Sequence, residues 1–207
     1  MVASRPMGME PEDFMPSDGR CFENSLVALN RLDDFDGWQM VPGMGFGQRE
    51  KWWGPGGLRP APHEGLDLCF FHRRNGGIRR LAAGCLVPAA FDGTLHAVMD
   101  DFMAESLVLV HDFTGPDRRR LCTIFGHVRR LDGIFTGSRI AAGKPFAALA
   151  PPAKPGKGPG AHLHLSAGWL MPDTEPSAMS WDRIPDGKIL VLADPCRIVR
   201  LTVFSAF

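Results

Sequence analysis

The sequence predicts a mainly β fold, a compact antiparallel β-sheet or sandwich with one short helix near the N-terminus. From residue 66 to residue 170, short apolar runs alternate with turn sequences such as RNGG and TGPD. No ten-residue segment in that range has helical spacing of its apolar residues. The chain also contains 24 Gly and 18 Pro, which favours many turns and short strands. Together these observations favour antiparallel strands joined by hairpins.

The N-terminal part is predicted to contribute the helix. In CFENSLVALNRLDDF, residues 21–35, Leu26, Leu29 and Leu32 lie on roughly one helical face. Residues 41–62 are so rich in Gly and Pro that they are predicted to form a loop, with a short strand at 45–48 as an option. The expected organisation is an N-terminal extension at 1–40, which carries the helix, and one domain at 41–207.

The strands are predicted in order along the chain, each from an apolar run bounded by turn residues. The runs are LDLCFFH (66–72), CLVPAAFDGTLHAVMDD (85–101), ESLVLVHDF (105–113), LCTIFGHVRRL (121–131), KPFAALA (144–150), AHLHLSAGWL (161–170), KILVLA (188–193) and RIVRLTVF (197–204). A polar, proline-containing loop is predicted between AHLHLSAGWL and KILVLA.

Composition excludes several classes of function. Lys plus Arg and Asp plus Glu both number 23, so no overall charge favours nucleic acid or an anionic membrane. No apolar run approaches the ~18 residues of a membrane span, and the first 20 residues lack the apolar core of a secretory signal. The five cysteines include no CxxC pair, which predicts at least one free thiol and no cysteine-type zinc site.

Two histidines stand two positions apart in PGAHLHLSAG. In a strand, His162 and His164 project from the same face, while Leu163 and Leu165 project from the other. Two neighbouring imidazoles are costly to bury without partners, so the pair indicates a metal site or a catalytic pocket. Taken alone, the pattern favours two solvent-facing histidines on a strand.

A second candidate lies in APHEGLDL, where His63 and Asp67 are four residues apart. Proline and glycine nearby argue against a helix, so a loop that enters a strand at Leu66 is expected. Asp67 then faces a cleft while Leu66 and Leu68 enter the core. Imidazoles and one carboxylate are what Zn²⁺ takes in an open catalytic site. A surface His near a surface Asp is the alternative, and Cys69 is an alternative fourth ligand.

These motifs resemble those of the lysostaphin-like zinc metalloendopeptidases, which cleave peptidoglycan peptide cross-bridges. HEGLD resembles the HxGxD motif of that family, GAHLHLS resembles its HLH motif, and GFGQR at 45–49 resembles the FGxR that precedes them. VPAAFDGTLHAV and the segment that contains IFGHVRR resemble further stretches in the same order. The resemblance covers roughly residues 41–170.

The resemblance implies a duplicated hybrid motif fold with one zinc ion in a groove. His63, Asp67 and His164 would be the zinc ligands, and His127 and His162 would be catalytic. Which of the two catalytic histidines is the general base is left open. The chain departs from the family pattern at Phe125, where the family usually has Tyr, and it contains no tyrosine at all.

The implied function is a zinc endopeptidase that hydrolyses a peptide bond, most readily in a peptidoglycan cross-link, by attack of zinc-activated water. The partner would be a peptidoglycan peptide or another peptide, with no nucleic acid; Trp52 and Trp53 are candidates to line its groove. One alternative is a catalytically silent binding or regulatory module of the same fold. Another is a zinc hydrolase with a cytoplasmic substrate. The resemblance implies a periplasmic or extracellular location, whereas the sequence offers no signal peptide.

Overall fold

The computed structural model describes residues 21–152 and 158–205, and over these ranges the protein is mainly β, as predicted. The helices are α1 (Cys21–Leu29) and the one-turn α2 (Pro195–Ile198). The strands are β1 (Phe35–Met40), β2 (Leu66–Leu68), β3 (Phe70–Arg73), β4 (Ile78–Arg80), β5 (Leu86–Pro88), β6 (Gly93–Asp100), β7 (Glu105–Thr114), β8 (Arg120–Arg130), β9 (Arg139–Ile140), β10 (Pro145–Leu149), β11 (Leu163–Leu170), β12 (Leu190–Ala193) and β13 (Val203–Ser205).

The described strands form two sheets. The smaller sheet has the order β13-β1-β3-β4, and the larger sheet contains nine strands with the central order β12-β11-β8-β7-β6-β9. Strand β2 pairs with the first half of β11, and β10 pairs with both β5 and β8. The named pairs are antiparallel, as predicted, except that β1 and β13 run parallel.

One hydrophobic core joins helix α1 and the two sheets. Trp38 and Phe71 of the small sheet belong to the same buried cluster as Phe125 and Phe146 of the large sheet. Phe22 of α1 reaches this cluster with its ring 6.0 Å from that of Phe125. The interior is therefore shared by the helix and by both sheets, and it leaves the opposite face of the large sheet free for other contacts.

That opposite face carries a second apolar cluster. Along β7, Leu107 and Leu109 enter the main core, whereas Val108 and Val110 enter the second cluster. The segment between β11 and β12 covers this face, with Met179 among its buried residues. Because both faces of the large sheet are covered, successive residues over most of β7, β8 and β11 are buried, rather than every second one.

The predicted helix is confirmed, and two strand predictions need correction. The run LDLCFFH is two strands, because the chain leaves the large sheet after Leu68 and enters the small sheet at Phe70. The run RIVRLTVF was predicted as one strand, which is wrong for its first half. Asp194 caps α2 by accepting a hydrogen bond from the Cys196 N–H at 2.9 Å, so the strand begins only at Val203.

The optional strand at 45–48 is absent from the described loop, where an isolated bridge between Glu50 and Leu58 is found instead. Residues 1–20 of the predicted N-terminal extension lie outside the described residues, so the division at residue 41 stays a prediction. Cys69, Cys85, Cys122 and Cys196 are free thiols. Among the described helices, none combines the length and the apolar character that a membrane crossing requires.

Candidate active site

Strands β2 and β11 set Asp67 and His164 side by side. The antiparallel register places Asp67 directly opposite His164, and both side chains lie on the face of the large sheet that carries the second apolar cluster. Leu66 and Leu163 point the other way, into the main core. The alternation expected from the sequence therefore brings a carboxylate and an imidazole together while apolar neighbours hold the two strands in place.

The glycine-rich loop positions His63 through backbone hydrogen bonds. Its backbone N–H donates to the carbonyl oxygen of Gln48 at 2.9 Å, and its own carbonyl accepts from the Gly47 N–H at 2.8 Å. The Asp67 N–H donates to the Met44 carbonyl at 2.9 Å, which ties the same loop to the start of β2. The loop at 41–50 is thus fixed against the strand by backbone hydrogen bonds, and the His63 side chain is fixed with it.

The three side chains meet at one point. His63 Nε2 lies 3.2 Å from His164 Nδ1, His164 Nδ1 lies 3.0 Å from Asp67 Oδ1, and His63 Nε2 lies 3.4 Å from Asp67 Oδ1. All three residues are buried. Within the described part of the chain these residues form the group of converging donor atoms that could hold a metal ion.

Each of the three side chains also makes a hydrogen bond through the atom that points away from the other two. His63 Nδ1 lies 3.1 Å from the Gly45 carbonyl oxygen, which can only accept, so Nδ1 carries a proton and Nε2 is the ring nitrogen that faces the other two side chains. His164 Nε2 lies 3.0 Å from Ser166 Oγ. If a metal ion displaced the proton from His164 Nδ1, Ser166 could accept from the Nε2–H and hold that tautomer.

Asp67 is oriented by donors on its other oxygen. Asp67 Oδ2 accepts a 2.6 Å hydrogen bond from Trp52 Nε1 and a 3.3 Å bond from an Arg59 guanidinium nitrogen, while Oδ1 faces the histidines. Burial raises the pKa of Asp67, but hydrogen bonds and charge interactions with His164 and His63 outweigh it and hold the pKa well below its usual value. The carboxylate is therefore ionised, as a metal ligand must be.

His162 lies immediately before β11, beside the donor group. Its Nδ1 donates to the Gly160 carbonyl at 2.8 Å, and its Nε2 lies 3.7 Å from Asp67 Oδ1. Burial lowers the pKa of His162 to about 4, against the charge of Asp67, which raises it. At neutral pH the imidazole is thus uncharged, with an unprotonated Nε2 directed toward the site.

His127 comes from β8 in a strained backbone conformation. Its φ of 63° lies in the left-handed region, which a non-glycine residue in a strand rarely adopts. The β7–β8 register shifts between the Glu105–Val128 and Leu107–Phe125 pairs, the interval that contains this residue. Its ring centroid lies 4.6 Å from that of His162 and 5.8 Å from that of His164. The irregularity directs the imidazole to the site, where strain of this kind is commonly found.

A cavity of about 690 Å³ opens over these groups. It is lined by His63, Asp67, His127, His162 and His164, and by Trp53, Arg59, Phe102 and Trp181 among others. Of the two tryptophans considered as substrate contacts, Trp53 lines the cavity. Trp52 instead donates to Asp67 and packs edge-on against the ring of His162, at 5.4 Å.

Cys69, the alternative fourth ligand, is not among the converging donors of the described residues. Its thiol points to the Ala161 carbonyl at 3.7 Å, and burial raises its pKa to about 11. A thiol that resists ionisation is a poor metal ligand. The chain turns out of β2 at this residue, so the regular alternation that placed Cys69 beside Asp67 ends before it.

Sequence reasoning missed four contributors to the site. Ser166 could have been found, because it is two residues beyond His164 on the same strand face. Arg59, Asp101 and Trp181 lie in loops, where no periodicity shows which way a side chain points. Asp101 accepts hydrogen bonds from His127, and the Trp181 ring packs 5.2 Å from that of His164.

No protein-family model matches the chain, and no curated protein was found to be similar to it. The solved structures to which the chain is similar include lysostaphin, at 14% identity and a TM-score of 0.43, and LytU, at 17% identity and a TM-score of 0.43. A putative peptidase M23 from Pseudomonas aeruginosa is similar at 15% identity and a TM-score of 0.41.

The matches cover 77%, 72% and 89% of this chain and 55%, 90% and 63% of those chains, respectively. The chain thus spans about half the length of the lysostaphin structure.

Proposed function

We propose that the protein is a zinc-dependent endopeptidase in which His63, Asp67 and His164 bind one zinc ion, and His127 and His162 act on the substrate. The observation that carries this proposal is the spacing of three buried donor atoms, 3.0, 3.2 and 3.4 Å apart. Ligands at about 2.0–2.1 Å from a tetrahedral zinc are separated by about 3.3–3.4 Å.

The donor set also suits zinc better than other common ions. Two imidazole nitrogens and one carboxylate oxygen form a typical catalytic zinc set that leaves a fourth position open. Mg²⁺ and Ca²⁺ take mostly oxygen ligands. With Asp67 as the single anionic ligand, the site keeps a net positive charge, which favours activation of water. When bound, the ion would supply Lewis acidity toward a water molecule and toward the carbonyl oxygen of the scissile bond.

The chain's own residues supply the remaining chemistry. His162 directs an unprotonated Nε2 toward the cavity, because its Nδ1 donates to the Gly160 carbonyl and burial keeps the ring neutral. His127 also lines the cavity, and its Nδ1 donates to Asp101. One of them can take the proton of the attacking water and then pass it to the leaving nitrogen. The other can donate a hydrogen bond to the charge that develops on the carbonyl oxygen once it has taken up a proton from the solvent. The walls of the cavity would position the peptide.

The substrate proposed is a peptide, and within that class a peptidoglycan cross-link. The order and spacing of HEGLD, IFGHVRR and GAHLHLS support this choice through their resemblance to the lysostaphin-like endopeptidases. The cavity is lined by the aromatic side chains of Trp53, Phe102 and Trp181, which could contact a peptide.

The test is hydrolysis by protein that has been stripped with a chelator and reloaded with zinc. Purified peptidoglycan and synthetic cross-bridge peptides would be incubated with the reloaded protein, and the products identified by mass spectrometry. We expect new amino and carboxyl termini only after zinc is restored. His162→Ala should keep its zinc and lose turnover, whereas His72→Ala, on the small sheet, should match the wild type.

Two outcomes would contradict the proposal. Zinc-loaded wild type that leaves all cross-linked peptides intact would favour a silent binding module. Hydrolysis that His162→Ala and His127→Ala both retain would mean that the buried histidines take no part in the reaction.

A further inference from the structure

Asp101 is a buried carboxylate next to the donor group but not part of it. It follows β6 in the turn that leads to β7, and its side chain is 1% exposed. Asp101 Oδ1 accepts from His127 Nδ1 at 2.8 Å and from the Met103 N–H at 3.0 Å. Asp101 Oδ2 accepts from the His127 N–H at 3.1 Å and from Ser106 Oγ at 2.6 Å. Four donors thus fix this carboxylate in one orientation.

The same carboxylate holds both the ring and the backbone of His127. The two bonds to His127 stabilise a residue whose φ of 63° is strained. Gly126 lies close to this carboxylate, because a Cβ there would lie 3.3 Å from Asp101 Oδ2 and 3.2 Å from His164 Cβ. A side chain at this position would therefore crowd Asp101 and His164 slightly.

His127 and His162, which both line the cavity, differ in the group that accepts the hydrogen bond from Nδ1. His162 Nδ1 donates to a neutral acceptor, the Gly160 carbonyl, whereas His127 Nδ1 donates to a carboxylate. An anionic partner stabilises an imidazolium far better than a carbonyl does. Burial raises the pKa of Asp101, but hydrogen bonds and charge interactions with His127 outweigh burial and keep the carboxyl ionised.

We propose that Asp101 is a positioning residue that makes His127, rather than His162, the proton acceptor of the reaction. Asp101 holds the Nδ1–H tautomer, so Nε2 is free to accept, and it stabilises the imidazolium that forms. The water O–H bond breaks, its oxygen bonds to the carbonyl carbon, and its proton moves to His127 Nε2. That proton then passes to the leaving nitrogen as the C–N bond breaks, while Asp101 stays ionised throughout. This assignment rests on the proposed function.

A hydrogen-bond chain extends from Asp101 to the segment that covers the sheet. Ser106 donates to Asp101, and Trp181 Nε1 donates to Ser106 Oγ at 3.1 Å. The Trp181 ring also packs against that of His164. The orientation of Asp101 is therefore fixed by two elements that are distant in sequence, β7 and the segment between β11 and β12.

The first test needs no turnover. Nitrogen chemical shifts of ¹⁵N-labelled histidine would be measured in the metal-free protein, with the His127 signals assigned by their loss in His127→Ala. We expect the wild type to show the Nδ1–H tautomer at His127 and Asp101→Ala to show a mixture of both tautomers. An unchanged Nδ1–H tautomer in Asp101→Ala would overturn the proposal.

The second test is kinetic and uses a cleaved peptide. Asp101→Ala should lower kcat about 10- to 100-fold, with KM within about threefold and zinc content unchanged. The double variant Asp101→Ala/His127→Ala should be no slower than His127→Ala, since Asp101 acts only through that residue. Additive losses would contradict the assignment. Asp34→Ala, which removes a carboxylate paired with Arg73 on the small sheet, is the control.

Asp101→Asn covers the case in which Asp101→Ala fails to fold. An amide has one accepting oxygen, so either His127 Nδ1–H or the His127 backbone N–H must face its NH₂ group. The same loss of kcat and the same non-additivity are expected, and full activity of Asp101→Asn would refute the proposal. A wild type without hydrolase activity would instead refute the proposed function, and the tautomer measurement would still test the role of Asp101.

Discussion

The substitution Gly65→Ala tests how closely β2, which carries Asp67, must approach β11, which carries His164. A Cβ at this position would lie 2.4 Å from the Leu165 carbonyl oxygen, 2.6 Å from Ser166 Oγ and 2.9 Å from His164 Nε2. Ordinary contact begins at 3.4 Å, so Gly65→Ala requires a shift of about 1 Å between β2 and β11. The nearest atom belongs to the backbone, and a rotamer change therefore cannot relieve the clash.

That shift would act on the donor group directly. Asp67 is two residues beyond Gly65, and its Oδ1 lies 3.0 Å from His164 Nδ1. A displacement of about 1 Å would spoil the spacing that a tetrahedral ion requires. We expect zinc affinity to fall at least about tenfold, or 1.4 kcal/mol, and the metal-free protein to lose about 1–3 kcal/mol of stability.

Zinc affinity would be measured by competition with a chromophoric chelator, and stability by urea unfolding in the presence of a chelator. Gly168→Ala is the matched control, because its Cβ would lie 2.4 Å from the Val191 carbonyl oxygen, between β11 and β12 and away from the donor group, so it should lose stability and keep wild-type zinc affinity. Gly65→Ala with wild-type zinc affinity and wild-type stability would refute the close approach of β2 and β11.

Three further predictions concern residues around the site and one buried histidine. Trp52→Phe removes the donor to Asp67 Oδ2 and should weaken zinc binding about 10- to 100-fold by the same competition assay; unchanged affinity would contradict its orienting role. Phe102→Ala, at a side chain 71% exposed beside His127, should lower kcat/KM for peptide several-fold while urea unfolding changes by less than about 0.5 kcal/mol; equal kcat/KM would exclude a substrate contact. His111 has a pKa of about 4 because it is buried, so the unfolded chain takes up its proton first as pH falls below about 6.5, and stability decreases. Urea unfolding at pH 7 and 4.5 should show a pH-dependent loss about 2–3 kcal/mol smaller in His111→Asn than in the wild type; equal losses would refute the assignment to His111.

The period-2 rule explains how much of the site the sequence could predict. It gave the side of β2 on which Asp67 lies, the shared face of His162 and His164, and the apolar neighbours that enter the core. It could not show that Asp67 stands opposite His164, because that pairing joins segments almost 100 residues apart. Only the motif resemblance linked the two segments before the fold was known.

The contributions from loops could not be predicted for a different reason. Asp101 lies in a turn and Trp181 in an irregular segment, where side-chain direction depends on tertiary contacts rather than on spacing. The last strand was predicted to begin too early because RIVRLTVF has strand composition throughout. The cap from Asp194 begins helix α2 in this run. The left-handed backbone of Arg200, with a φ of 52°, follows the helix and delays the strand.

The most direct test of the account is anomalous X-ray scattering from crystals of the zinc-loaded protein, with data collected on both sides of the zinc absorption edge. The account predicts one peak per chain, in contact with His63 Nε2, Asp67 Oδ1 and His164 Nδ1, and no peak in crystals of His164→Ala. A peak at any other position, or an equal peak in His164→Ala, would contradict it.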